Sequence, residues 1–82
     1  MKIQVKIFPC DGLCSESEEL EIQLEEGRLG ELIALINKRL GTDLSKIEKL
    51  MFLRNGRAID REQDTVLLDG DKIWLLPQIS GG

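Results

Sequence analysis

Two changes of hydrophobic period along the chain predict an α+β fold: a mixed sheet of about five strands with one main helix packed on one face. Residues 2–8 and 20–24 alternate polar and apolar side chains, the period of a strand buried on one face. From Leu29 the apolar residues instead fall at Leu29, Leu32, Ile33, Ile36 and Leu40, a single stripe along a helix. Past that stripe the chain returns to short apolar runs at 50–53 and 73–76, divided by turn residues. Its 82 residues suffice for one domain, 1–82, around one modest core.

In the first strand Ile3, Val5 and Ile7 point to the core, and Gln4, Lys6 and Phe8 share the other face. Pro9 ends the strand, and residues 9–17 read as a loop. Leu20, Ile22 and Leu24 form a second strand facing the same core, the hairpin partner of the first. Glu16, Glu18, Glu19, Glu21, Glu25 and Glu26 crowd this region. They read as a solvated acidic edge that discourages edge-to-edge pairing, more than as a catalytic carboxylate pair.

Gly27 breaks the strand before the helix. Glu31 in the first turn and Lys38 and Arg39 in the last match the helix dipole, and Gly41 is a good C-terminal stop. No Ser, Thr, Asp or Asn stands next to Leu29, so no cap marks the start. Residues 42–49 leave room for a short turn. Leu50-Met51-Phe52-Leu53 is apolar in both phases, so this strand is partly covered on both faces or has one sticky face. Asn55-Gly56 predicts a tight turn into a short strand around residues 57–59. A polar loop at 60–64 and residues 65–68 then lead back to the turn Asp69-Gly70-Asp71 and the last strand.

Composition narrows the function classes. A net charge of −4 argues against nucleic acid and against an anionic membrane as partners, and favours a partner with a basic docking surface. No run approaches the apolar length of a membrane span, and Met1-Lys2 leads directly into strand pattern without a signal region, so the expected location is cytoplasmic. There is no histidine, which removes the usual general base and metal ligand. Cys10 and Cys14 alone cannot complete a zinc site, so no metal is expected; they read as two loop thiols, with a local disulfide or redox role as the lesser alternative. Gly56 and Gly70 are isolated turn glycines, and no phosphate-binding Gly-x-x-x-x-Gly-Lys pattern exists.

The most telling stretch is the end: Asp69-Gly70-Asp71-Lys72-Ile73-Trp74-Leu75-Leu76-Pro77-Gln78-Ile79-Ser80-Gly81-Gly82. An acidic turn is followed by an apolar strand, a proline that cannot donate to a sheet ladder, and a flexible tail, 78–82, that finishes on two glycines. Without Cβ atoms, Gly81 and Gly82 can enter a slot too narrow for side chains. The bland alternative is a frayed, inert terminus.

This ending resembles the MoaD/ThiS family of ubiquitin-like sulfur carriers, and within it the molybdopterin synthase small subunits. Gln78 stands where a second proline is common, a small departure. Asn55-Gly56-Arg57 with Ile59, and Asp64-Thr65 with Leu67, carry the likeness further upstream, whereas the first fifty or so residues match only in pattern. The resemblance implies a β-grasp, ubiquitin-like fold with the first and last strands parallel in the middle and each outer pair antiparallel. It also implies that the Gly82 carboxylate is adenylated by an E1-like adenylyltransferase using Mg-ATP and converted to a thiocarboxylate with sulfur from a persulfide donor protein. Gly81, Ser80 and Ile79 would thread into the large catalytic subunit of molybdopterin synthase. Such a chain binds no cofactor stably and is a sulfur-donor subunit more than an enzyme. A carrier for thiamine or another product, a ubiquitin-like protein modifier, and a β-grasp binding module with an inert tail are the alternatives.

If Ile73 and Leu75 face the helix, then Trp74 and Leu76 lie on the other face beside Phe8, and Phe8, Trp74, Leu76 and Pro77 are the expected docking residues. The opposite register would bury Trp74 and expose Ile73.

Overall fold

The computed structural model describes residues 1–10 and 12–78. The elements are β1 (Lys2–Ile7), β2 (Glu18–Gln23), α1 (Leu29–Leu40), a 3-10 turn (Leu44–Lys46), β3 (Leu50–Arg54), β4 (Arg57–Ile59) and β5 (Lys72–Pro77). They build a five-stranded sheet in the order β2-β1-β5-β3-β4. β1 and β5 are parallel neighbours in the middle, and β1–β2, β3–β5 and β3–β4 are antiparallel. This is the β-grasp arrangement, with one helix across one face.

The core lies between that face and the helix. Ile3, Val5 and Ile7 of β1, Ile22 of β2, Phe52 of β3, and Ile73 and Leu75 of β5 are buried against Leu29, Leu32 and Ile36 of α1. Leu24, Leu44, Leu50 and Leu67 close its margins. Of the helical stripe, Ile33 and Leu40 are half-buried and pack against this cluster.

The helix lacks a local cap, as its sequence suggests: Arg28 is extended and makes no side-chain cap bond. The cap comes from elsewhere. Asp64 Oδ1 accepts the Gly30 N–H at 2.9 Å, and Asp64 also pairs with Arg28 at 3.6 Å. Glu31 does more than favour the dipole. Its carboxylate accepts the N–H groups of Glu25, Glu26 and Gly27 at 2.8, 2.9 and 3.1 Å, pinning the β2–α1 connection onto the first turn. Those bonds, that of Glu25 foremost, hold its pKa below the usual carboxylate range. At the other end Gly41 takes φ 65°, and the N–H groups of Gly41 and Thr42 both return to the Asn37 carbonyl.

Asn55 and Gly56 have φ values of 50° and 87°, the signs of the primed hairpin turn that joins β3 to β4. Residues 65–68 are not a sheet strand. They run past the start of the helix, where Leu29 N–H donates to Thr65 and Leu67 N–H to Gly27. Asp71, at the foot of β5, is the buried polar side chain of the described residues. It accepts from Arg54 Nε at 2.8 Å, Asn55 Nδ2 at 3.0 Å and Leu68 N–H at 2.8 Å. Burial pushes its pKa up, but the Leu68, Asn55 and Arg54 contacts outweigh it and leave the carboxyl below its ordinary value. Asp71 thus clamps the foot of β5, and the far end of the strand leads to the tail.

The sequence places the end of the ladder at Pro77; the structure ends it there toward β1 but not toward β3. Pro77 pairs with Leu50 inside β5, and Gln78 N–H still donates to the Lys49 carbonyl at 2.8 Å. The Phe8 N–H bonds the Leu75 carbonyl, so odd residues of β5 turn their backbone groups toward β1 and even ones toward β3. Pro77 therefore lacks its N–H on the β1 side, where the next parallel rung, Phe8 opposite Leu76, would need it; that ladder stops at Ile7 and Leu75, and the Phe8 carbonyl accepts from Cys14 Sγ instead. Gln78, counted with the tail from sequence, is held by the sheet.

Candidate functional site: the open sheet face and the tail exit

The sheet face away from the helix is uncovered by any described element, and alternation decides what lies on it. On β5, Ile73 and Leu75 are buried, and Trp74 is 39% exposed. The register with Trp74 outward is therefore the correct one. Trp74 stands opposite Lys6 of β1 on one side and Leu53 of β3 on the other. Lys6 faces Glu19 of β2, and Leu53 faces Ala58 of β4, so one row crosses all five strands: Glu19, Lys6, Trp74, Leu53, Ala58. Nearer the tail, Leu76 stands opposite Met51.

Three of the four expected docking residues come together. The Phe8 and Trp74 rings meet edge to face, with centroids 5.6 Å apart at 62°. Lys6 Nζ lies 5.2 Å from the centre of the Phe8 ring, which places a cation at the margin of the aromatic pair. Leu76 lies on the same face, two residues along from Trp74, and is half-buried. Pro77 does not join them. It falls in phase with Ile73 and Leu75, on the helix side, where it lines an open groove with Cys10, Thr42, Lys46, Lys49 and Gln78. Pro77 and Gln78, the last described residues, thus stand between an apolar sheet face and a groove lined by Lys46 and Lys49 together with Asp43 and Glu48.

Met51, Leu53 and Ala58 complete the apolar band and were not singled out from sequence. Their signal was present in the two-phase apolar pattern of residues 50–53: Leu50 and Phe52 are buried, and Met51 and Leu53 face outward. Ala58 carried no signal, because its place depends on the pairing of β4 with β3.

Ile79, Ser80, Gly81 and Gly82, the expected threading and reacting residues, lie outside the described residues. Four residues beyond Gln78 have a contour length of about 14 Å at most. Among the described residues no three His, Cys, Asp or Glu side chains are grouped to hold a metal ion, and no helix is long and apolar enough to cross a membrane.

Solved structures resemble this arrangement over the whole chain. Subunit 1 in the protein–protein complex of subunits 1 and 2 of molybdopterin-converting factor from Helicobacter pylori is 29% identical, with a TM-score of 0.71 and full coverage of both chains. A molybdopterin converting factor subunit 1, described as putative, from Pyrococcus furiosus is 28% identical, with a TM-score of 0.71 over 95% of this chain and 98% of that one. The small archaeal modifier protein 1 of H. volcanii shares the fold at 17% identity, with a TM-score of 0.69 over 95% and 98% of the two chains. A comparison with curated proteins finds no match. The ThiS family model matches residues 4–82, and with the β-grasp topology and a tail ending in Gly81-Gly82 it places the chain in the ThiS family.

Proposed function

We propose that this member of the ThiS family is the sulfur-carrying small subunit of a molybdopterin synthase, with the Gly82 carboxylate as its working group. A carboxylate is a poor electrophile. An E1-like adenylyltransferase with Mg-ATP makes the acyl-adenylate and releases pyrophosphate. The terminal sulfur of a persulfide on a donor protein then displaces AMP, and a thiol cleaves the remaining S–S bond to leave the thiocarboxylate. Ile79, Ser80, Gly81 and Gly82 carry that sulfur into the large catalytic subunit, where it passes to a pterin precursor.

The observation that most favours this reading over other carriers is the full-length likeness, at 29% identity, to subunit 1 of a molybdopterin-converting factor that is solved in complex with its subunit 2. The fold alone would not separate a carrier from a modifier. The apolar band of Phe8, Trp74, Leu53, Met51 and Leu76 supplies the partner surface, and its position next to the β5 exit lets docking and tail delivery occur together. The cytoplasm is the proposed site of action.

Mass spectrometry of the protein purified from its own host tests the reading. The expected product carries sulfur in place of one C-terminal oxygen and co-purifies with a large synthase subunit. An isopeptide bond from Gly82 to lysine would make it a protein modifier instead. A plain carboxylate under every growth condition would refute both.

A further inference from the structure

Cys10 and Cys14 sit in the β1–β2 connection, which sequence reading treats as plain loop. The two are directly opposite each other. Cys10 N–H donates to the Cys14 carbonyl at 3.0 Å, and Cys14 N–H to the Cys10 carbonyl at 3.1 Å, forming an isolated antiparallel bridge. Residues that exchange both bonds in this way have Cα atoms about 5.5 Å apart. A disulfide spans about 4.4–6.8 Å between Cα atoms, so this pair is within bonding range with a local adjustment of the loop. Both are half-buried thiols. Cys14 Sγ donates to the Phe8 carbonyl at 3.5 Å, and Cys10 lines the open groove at the tail exit with Pro77 and Gln78.

We propose that Cys10 and Cys14 form a reversible intramolecular disulfide by exchange with a small-molecule disulfide, making a modification site that joins the docking face to the tail exit. Cys10 reacts first, because it opens on the groove, whereas burial pushes the Cys14 thiol up and favours its protonated form. The Cys10 thiolate attacks one sulfur of the small disulfide and expels one thiolate. Cys14 loses its proton and attacks the Cys10 sulfur, expelling the second. The protein dithiol is oxidised, and the small disulfide is reduced to two thiols.

Ready reversal follows from the same geometry. Hydrogen-bonded cross-strand pairs hold their side chains farther apart than non-hydrogen-bonded ones, so closing the bond draws the loop inward and leaves it strained, and strained disulfides are the more easily reduced. Gly12, at φ 83° with open space around its Cβ position, can give way to that movement. Pulling the Cys14 sulfur toward Cys10 takes it from the Phe8 carbonyl, and the Phe8 ring touches Trp74. Trp74 is the one tryptophan of the chain, so its emission reports the change. Neither cysteine carries the transferred sulfur, and the proposal is independent of the Gly82 chemistry.

The test is to equilibrate the purified protein in mixtures of reduced and oxidised glutathione, trap with acid, alkylate, and record intact mass and Trp74 emission. In the oxidised mixtures the protein should lose two hydrogens and take up no alkyl group. Its emission should change in step, and both effects should reverse in reduced glutathione. Cys14→Ser should stop at one glutathione adduct. Its formation tests the first step without depending on the disulfide. Two alkyl groups at every ratio, or wild-type protein held as glutathione adducts, would overturn the disulfide. Unchanged Trp74 emission on a protein that has lost two hydrogens would overturn the link to the docking face.

Discussion

Trp74→Ala should separate partner docking from folding. Trp74 is 39% exposed at the centre of the open face. A tryptophan offers of the order of 250 Å², so the accessible part is about 100 Å². At about 25 cal/mol per Å², covering it with a partner contributes about 2.5 kcal/mol, or about 60-fold in Kd. The free protein loses less, because the part already covered lies against Phe8, and an aromatic edge contact is worth about 0.5–1.5 kcal/mol. Titration calorimetry with the purified large synthase subunit would read the first effect and a thermal melt the second. We expect a Kd raised by well over tenfold with a modest fall in melting temperature. Leu53→Ala, opposite Trp74 in the register, should weaken binding in the same direction. A folded Trp74→Ala variant that binds like wild type would show that the open face is not the docking surface.

The other predictions concern the tail, the clamp below β5 and the core. Deleting Gly82 moves the reacting carboxylate back onto Gly81 and shortens the arm by about 3.5 Å; adenylation should fall by about a hundredfold or more, with the melting temperature near wild type. Wild-type adenylation of the deletion would refute Gly82 as the working end. Asp71→Ala strands the Arg54, Asn55 and Leu68 donors, which should cost about 2–4 kcal/mol, less than the about 3–5 of a fully buried pair, because the Arg54 side chain remains 24% exposed. The Asp71 pKa is lower folded than unfolded, so its contribution is complete above the unfolded value of about 3.9 and is lost as pH falls through the folded value. Acid melts of Asp71→Asn should therefore show a weaker pH dependence below about pH 4 than wild type, and identical slopes would contradict the clamp. Leu32→Ala, in a fully buried position, should cost about 2–5 kcal/mol; an unchanged melt would mean that the helical stripe is not the core.

The element types were legible because burial on one face imprints a local period. Ile3, Val5 and Ile7 declare a strand, and Leu29, Leu32 and Ile36 a helix, whatever they pack against. Asn55-Gly56 declared its turn by the same local logic, since positive φ is a property of the residues themselves. The outward register of Trp74 was one of two readings, and it could be chosen from sequence only by assuming which residues of the last strand share the core.

Tertiary structure alone decided which backbone segments close on one another. Asp64 caps a helix that begins thirty-odd residues earlier, and Glu31 folds back on the connection before it. Ala58, Leu53 and Met51 join Trp74 and Leu76 only through the strand pairings, and Pro77 falls on the helix side, in phase with Ile73 and Leu75, because β5 runs on through it beside β3. Cys10 and Cys14 became a facing pair only when their hairpin closed. A sequence determines by itself what its neighbours within a few residues can enforce: period, turn sign and the bare glycines of the tail. Register and cross-chain hydrogen bonds depend on which segments meet, and that is settled by the burial of one shared core.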